Sequence, residues 1–261
     1  MKALVPLLLA AALACAAAAA QAADFDQVQR IKTENAIPRW REAAAQARAQ
    51  RDDPSDAATQ AIWQGLDQQT DVATGKAPLQ QIMGAPDTRN PRQLLAHSIW
   101  LRWRILSENA DARYSFAYAY KLSHMRDKDG DFSQEAVIFF LHAKLALTLD
   151  GNRCTDRSKA EHLMDWYPAQ AYLQPLLAKI DSMSPQDKSI AMMEAISLEE
   201  MRGERPPMRW LCPSANPSET PGADADVDLL GTQPRFVRDA RWRKYRGDLL
   251  EQLTRVAARD L

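Results

Sequence analysis

The chain has 261 residues, of which 46% are hydrophobic and 26% are charged, and its formal net charge is −1. This composition is ordinary for a soluble globular protein with enough residues for one sizeable core or two smaller ones. Because the positive and negative charges nearly balance, there is no basic bias of the kind that nucleic-acid binding requires. We therefore expect no nucleic acid among its partners.

The N-terminus has the pattern of a bacterial secretory signal peptide. Lys2 provides a positive start, an alanine- and leucine-rich run follows, and Ala20-Gln21-Ala22 is a small-x-small triplet suited to signal peptidase. We predict that residues 1–22 are cleaved and that the protein is periplasmic. Two alternatives stay open: the run could be a transmembrane anchor, or Cys15 could be lipidated at a poor version of a lipobox.

The predicted export determines which of the three cysteines stay in the mature chain and whether they form a disulfide. Cys15 is removed with the signal peptide, so the mature chain keeps Cys154 and Cys212. Because an exported chain matures in an oxidising compartment, we predict a disulfide between these two residues. Closing the loop between them is worth about 4 kcal/mol in the chain-entropy model. Two buried free thiols are the alternative.

The residue usage indicates an all-α fold. The chain has nine glycines, and it is rich in Ala, Leu, Gln, Arg and Glu. Strand-type alternation of polar and apolar residues is hard to find. We predict an irregular helical bundle or an array of helical hairpins, clamped by one disulfide. Similar segments do not recur at a fixed period, so we assign no repeat array.

In chain order, residues 23–90 hold the N-terminal helices and a loop. The first helical stretch is interrupted near Pro38 because proline cannot donate the backbone hydrogen bond of a helix interior. A second helix follows, and residues 71–91 contain proline and glycine and are predicted to form the loop. Trp40 and Trp63 lie in this more polar part of the chain, so we expect them to be exposed.

Residues 91–212 are predicted to form the core helical domain. Asn90-Pro91 and Ser184-Pro185 each place an N-cap residue before a proline at the first helical position. Gly203 is expected to end the second of these helices in a left-handed conformation. The first helix has an apolar stripe that we expect to face the core, composed of Leu95, Ile99, Trp103 and Leu106.

Within this domain, the stretch RDKDGDFSQEAVIFFLHAKL begins with aspartates at positions 127, 129 and 131. Their alternation is typical of a calcium loop, but the glycine and the final glutamate of an EF-hand are not at the required positions. We predict that Asp131 caps the helix that follows. That helix is apolar on every face near its start, which indicates the centre of the core. A calcium site of another type is the alternative.

Glu135 and His142 are the candidate reactive pair in this helix, seven residues apart on one face. A glutamate and a histidine can perform acid–base catalysis or bind a metal. A core histidine that is hydrogen-bonded to a neighbour is the commoner arrangement. Glycine-rich phosphate loops, Gly-x-Ser-x-Gly elbows and His-Glu-x-x-His zinc motifs are missing from the sequence. We therefore assign no catalytic residue, metal ligand or cofactor.

The chain ends in a proline-rich acidic loop and a basic amphipathic helix. The loop, residues 213–234, contains four prolines. The helix is predicted over residues 235–261. Its apolar face is expected to consist of Trp242, Tyr245, Leu249, Leu253 and Val256.

The start of the last helix, RFVRDARWRKYRGD, interleaves arginines with aromatic residues. Outside the cytoplasm this pattern favours an acidic protein surface or an anionic membrane surface as the partner. A solvated helix face, with its aromatic residues in the core, is the alternative. The candidate binding residues are Arg238, Arg241, Trp242, Arg243, Lys244 and Tyr245.

Export, the unassigned catalytic set and the tryptophan and arginine content favour a protein that acts by binding, since these residues are the preferred anchors of protein interfaces. We expect a periplasmic, non-catalytic protein-binding factor with a protein partner in the cell envelope. A concrete version is an inhibitor or immunity-type protein against an envelope-acting toxin or hydrolase. A cell-envelope hydrolase using Glu135 and His142, or the cluster Asp127–Asp131, is one alternative, and a membrane-surface assembly factor is another.

Overall fold

The computed structural model describes residues 25–54, 56–68, 76–84, 90–127, 130–166, 170–212 and 236–260. The fold is all-α with one disulfide, as predicted. The α-helices of these residues are α1 (Ile37–Asp52), α2 (Ala57–Gln68), α3 (Lys76–Gly84), α4 (Pro91–Ser107), α5 (Ala112–Ser123), α6 (Ser133–Gly151), α7 (Ser158–Trp166), α8 (Gln174–Ser182), α9 (Pro185–Arg202) and α10 (Asp239–Ala257). Short 3-10 turns lie at Ala171–Leu173, Arg209–Leu211 and Ala258–Asp260. The predicted signal peptide and the loop at 213–234 lie outside the described residues.

The first helical segment passes through Pro38 rather than stopping there. Residues 25–31 are helical and continue into α1 through a π-turn at Lys32–Ala36, where the Ile37 N–H donates to the Lys32 carbonyl. The proline ring clashes with a carbonyl four residues earlier in a regular helix, which here belongs to Glu34. The wider π-turn accommodates this clash. The predicted interruption is therefore a local change in helical spacing.

The predicted loop at 71–91 contains a helix. α3 spans Lys76–Gly84, and its Leu79 and Ile82 are buried in the main core. Residues 69–75 and 85–89 lie outside the described part of the chain. The prediction of a loop is wrong for this central segment. Burial of Leu79 and Ile82, one helical turn apart, stabilises the helix by more than Pro78 destabilises it, since proline is tolerated near a helix start.

α5 and α6 form a helical hairpin at the centre of the molecule. A two-residue antiparallel ladder, Arg126–Asp127 with Gly130–Asp131, connects them. Phe139 of α6 is fully buried, and the ring of Tyr118 from α5 stands edge-on to it with 4.6 Å between centroids. α6 also packs against α8 and α9. This surrounded position explains why its sequence is apolar on all faces.

The starts of three helices test the predicted caps. Asn90 caps α4 and Ser184 caps α9 as predicted, each accepting a hydrogen bond from the backbone N–H three residues later. The predicted cap of α6 is wrong: its N-cap is Phe132, which makes no side-chain cap hydrogen bond. Asp131 belongs to the ladder before the helix, so the chain enters α6 from a paired strand.

Trp40 and Trp63 are buried, at 6% and 1% exposure, so the expectation that they are exposed is wrong. Trp40 packs edge-on against Phe139 at 5.7 Å between ring centroids. The indole N–H of Trp63 donates to the Ala96 carbonyl at 2.8 Å. The polar residues of α1 and α2 lie on their outer faces, while their few large apolar side chains extend the main core.

The predicted apolar stripe of α4 is correct at Leu106, which is buried, and at Ile99 and Trp103, which pack against the core, but it is wrong at Leu95. Leu95 is 49% exposed, whereas Leu94, Trp100 and Leu101 are buried. α4 packs against α1, α2 and α5 together. Because these neighbours surround more than half of the helix, a single stripe is too narrow to describe its buried face.

Candidate functional site

His142 lies in a buried polar cluster between α5, α6 and α9, and its side chain has no solvent exposure. Its Nδ1 is 3.0 Å from the Ser115 hydroxyl, and its Nε2 is 3.0 Å from Nη1 of Arg202. Burial lowers the pKa of His142 to about 4, although Glu199 raises it. The imidazole is therefore neutral at neutral pH. Its Nε2 accepts a hydrogen bond from Arg202, and its Nδ1–H donates to Ser115.

Arg205 supplies the second half of this buried polar cluster. Its Nη1 is 2.7 and 2.9 Å from the two carboxylate oxygens of Glu199. Its Nε is 3.0 Å from Oδ2 of Asp150. Glu199 and Asp150 are at most 1% exposed. Removing ions from water costs several kcal/mol each, so these charges are tolerated here because their partners are close and well oriented.

The pKa values of the two carboxylates are shifted in opposite directions. Burial raises the pKa of Asp150 to about 6, although Arg205 lowers it. Burial also opposes ionisation of Glu199, but Arg205, the adjacent His142 side chain and Arg202 outweigh that effect and hold its pKa below its usual value. Burial lowers the pKa of Arg202 to about 10, so it remains charged at neutral pH. At neutral pH, Arg202 and Arg205 therefore face the two carboxylates with an equal number of charges.

Two arginines extend the buried polar cluster toward the C-terminal helix and the disulfide. Arg246 of α10 donates from Nη2 to the Glu199 carbonyl at 2.7 Å. Arg153 donates to the Arg205 carbonyl. Arg153 directly precedes Cys154, whose disulfide with Cys212 confirms the predicted pairing. The cluster thus joins α6, α9, α10 and the disulfide region, and its residues are occupied with one another rather than presented to solvent.

The structure does not bring Glu135 and His142 together. Glu135 accepts a hydrogen bond from the Tyr118 hydroxyl at 3.2 Å, two helical turns from the imidazole. His142 bonds to Ser115 and Arg202 instead. The arrangement gives no acid–base pair at these two positions. The side chains of the aspartates at 127–131 lie outside the described part of the structure.

Sequence reasoning missed most of the buried polar cluster. It singled out His142 but not Glu199, Arg202, Arg205 or Asp150. The local signal was a glutamate and an arginine three residues apart near the end of a helix, followed by a third charge after Gly203. Such spacing is also typical of a solvated helix face, so it does not by itself indicate burial.

α10 divides the candidate binding residues into two groups. Trp242 is 1% exposed, its indole N–H donates to the Leu149 carbonyl at 3.0 Å, and the Arg153 guanidinium lies 3.8 Å from its ring centroid. Tyr245 is half-buried against the smaller apolar cluster. Arg243 is exposed and pairs with Glu204 at 3.4 Å. These side chains attach α10 to the rest of the molecule.

The other three candidates, Arg238, Arg241 and Lys244, form what we call the cationic edge. They follow one another at three-residue intervals at the start of α10, and all three are exposed. Within the described residues, none of them is in an ion pair. The predicted apolar face of α10 is correct near Trp242 but not at Val256, which is 48% exposed; Leu250 is buried instead.

The described residues contain no group of three or more His, Cys, Asp or Glu side chains arranged to hold a metal ion. None of the helices in the described ranges is both long and apolar enough to cross a membrane.

The chain matches no protein-family model, no curated protein and no solved structure at a significant level. A functional proposal therefore rests on the geometry of its own residues.

Proposed function

We propose that the protein is a periplasmic, non-catalytic binding protein that blocks an acidic partner in the cell envelope, as an inhibitor or immunity-type factor against a toxin or hydrolase. The observation that carries this proposal is the cationic edge, Arg238, Arg241 and Lys244, exposed on a helix whose opposite face is fixed in the core.

The rigid attachment of α10 supports a binding role. Trp242 is buried against Arg153, and Arg246 bonds to the end of α9. A charged surface on a fixed helix loses less conformational entropy on binding than the same charges on a loop. It also accelerates association with an oppositely charged surface.

The chemistry of the cationic edge suggests the class of partner. An arginine guanidinium matches a carboxylate with two parallel hydrogen bonds. Glycoside hydrolases, which include enzymes that cut cell-wall glycans, carry a pair of carboxylates at the scissile bond. A protein that inserts arginines between such carboxylates would block the site. The buried state of the His142 cluster supports binding over catalysis, because its groups are bonded to one another away from solvent.

The proposal is tested with a charge-reversal variant, Arg238→Glu/Arg241→Glu/Lys244→Glu. A matched control reverses three exposed cations on other helices: Arg48→Glu/Lys144→Glu/Lys179→Glu. Partners are captured from native envelope extract, purified, and titrated against each protein at low and high salt; captured hydrolases are also assayed on purified peptidoglycan. We expect the edge variant to bind at least about ten-fold more weakly, and the control to bind like wild type.

Equal weakening by both variants would contradict a role for the cationic edge, since it would indicate non-specific charge attraction. The same cations would also favour a membrane-surface assembly factor, because each cation near an anionic bilayer contributes about 1 kcal/mol. Co-sedimentation with anionic vesicles at low salt, lost in the edge variant and accompanied by no protein partner, would favour that second function over inhibition.

A further inference from the structure

An open groove lies at the opposite end of α10 from the cationic edge. It is lined by the first helical segment, the middle of α9 and the turn after α10, and its volume is about 570 Å³. Small-molecule sites span roughly 300–1,000 Å³. The π-turn at Lys32–Ala36 forms part of its wall, and turns of this kind are frequent at functional sites.

Both helices contribute apolar side chains to the groove, beside the polar residues Gln27, Lys32, Glu194 and Ser197. Val28 and Met193 are buried, at 7% and 8% exposure. Ile31 and Ile190 also line the groove, yet they are 51% and 37% exposed. An apolar ligand would cover these two isoleucines, and methionine adapts readily to the shape of a ligand. The groove follows the first segment from position 28 to position 36, a length of about 12 Å.

The charges of the described residues that line the groove do not balance. Lys32 is neutralised by Glu200, with 2.8 Å between Nζ and the carboxylate. Glu194 is neutralised by an ion pair with Arg39. Arg259, in the turn after α10, lines the same groove and has no ion-pair partner within the described residues. Among the described residues, one positive charge therefore remains beside the apolar side chains of the groove.

We propose that this groove is a binding site for a fatty acid, with the acyl chain along the apolar walls and the carboxylate paired with Arg259. An elongated apolar ligand with a single anionic end matches both features at once, whereas a neutral lipid would leave Arg259 unused. The site is separate from the cationic edge, and it does not depend on the function proposed above.

The test titrates dodecanoate into the purified, delipidated protein by isothermal calorimetry. We expect saturable binding of one molecule per chain. Arg259→Gln and the neutral analogue dodecanol are each expected to weaken binding about five-fold, the effect of losing one exposed ion pair. Ile31→Glu, which puts a negative charge on the apolar rim, is expected to abolish binding. Leu95→Glu is the matched control because Leu95 is equally exposed on α4, away from the groove.

Circular dichroism checks that each variant is folded; Ile31 and Arg259 are exposed, so their replacement should leave the fold intact. Absence of saturable dodecanoate binding by the wild type would overturn the proposal. Binding that survives Ile31→Glu, or that Leu95→Glu reduces equally, would do the same. Concentration-dependent self-association that Ile31→Glu abolishes would assign the groove to a second copy of the chain instead.

Discussion

Burial gives His142 and Asp150 opposite effects on stability as the pH falls. The pKa of His142 is about 4 in the folded protein against an ordinary value of 6.5. As the pH falls, the histidine of the unfolded chain therefore takes up a proton first. Between pH 6.5 and about pH 4 this lowers the free energy of unfolding by about 3 kcal/mol. The pKa of Asp150 is about 6 against 3.8. The folded chain takes up that proton first, so Asp150 offsets much of the loss.

This opposition predicts the pH profile of His142→Gln, a side chain that does not titrate. At neutral pH the variant should be less stable than wild type because it disturbs the bonds to Ser115 and Arg202. Acid destabilises the wild type through protonation of His142 in the unfolded chain, and the variant lacks this effect. The difference in free energy of unfolding between the two proteins should therefore narrow by about 2–3 kcal/mol on acidification to about pH 4.5. Urea unfolding across this range measures it. His162→Gln, at an exposed position, is the control. Parallel profiles for wild type and His142→Gln would show that folding does not lower the pKa of His142.

At the scale of the element, the end of α9 positions the buried polar cluster. Gly203 follows the helix with φ 70° and ψ −147°, a conformation that other residues adopt only with strain. Its N–H bonds to the Glu199 and Glu200 carbonyls at 3.2 Å. The chain then turns back, so that Arg205 meets Glu199 on the helix it has just left. α9 ends at Gly203 as predicted, and the φ angle of this glycine is positive as predicted.

Two glycine substitutions should therefore have opposite signs. Gly203→Ala is expected to cost about 1–3 kcal/mol, because alanine strains the backbone there although no atom lies within 4 Å of its new methyl group. Gly247→Ala, on the exposed side of α10 and also without a neighbour within 4 Å, is expected to gain about 0.5–1 kcal/mol. Urea denaturation of both variants measures this. A stable Gly203→Ala protein would contradict the role of that backbone turn.

At the scale of the whole molecule, two apolar clusters join distant parts of the chain. The larger cluster contains residues as far apart as Trp40 and Leu211, and the smaller cluster joins the first segment to α6, α9 and α10. The disulfide bridges positions 58 residues apart. Arg153, next to Cys154, also contacts Trp242 of α10. The disulfide and the buried polar cluster therefore both connect the end of α6 to the segment after α9, and the cluster also connects them to α10.

Removal of the disulfide by Cys154→Ser/Cys212→Ser is expected to cost about 4 kcal/mol, because the unfolded chain regains the entropy of a long open loop. The measurement is urea unfolding of the double variant beside oxidised and reduced wild type. Reduced wild type should match the double variant. A loss below about 1 kcal/mol would contradict the expectation and indicate that the unfolded chain stays compact around this junction.

The sequence by itself determined the features that depend on neighbouring residues or on simple counting. Helix-forming composition predicted the all-α class, the side chains of Asn90 and Ser184 predicted the caps, and the predicted loss of Cys15 with a signal peptide left Cys154 and Cys212 to pair. Each of these predictions rests on interactions within a turn of helix or on a count of residues.

The tertiary structure alone decided which surfaces are buried and which charges meet. His142 and Arg202 are 60 residues apart, and Arg202 reaches a carbonyl 92 residues away. The burial of Trp40 and the exposure of Leu95 likewise depend on where neighbouring helices lie. The periodicity of apolar residues along a helix indicates only that the helix has an apolar side. The free energy that selects the buried side comes from contacts between distant segments, which a local pattern does not contain.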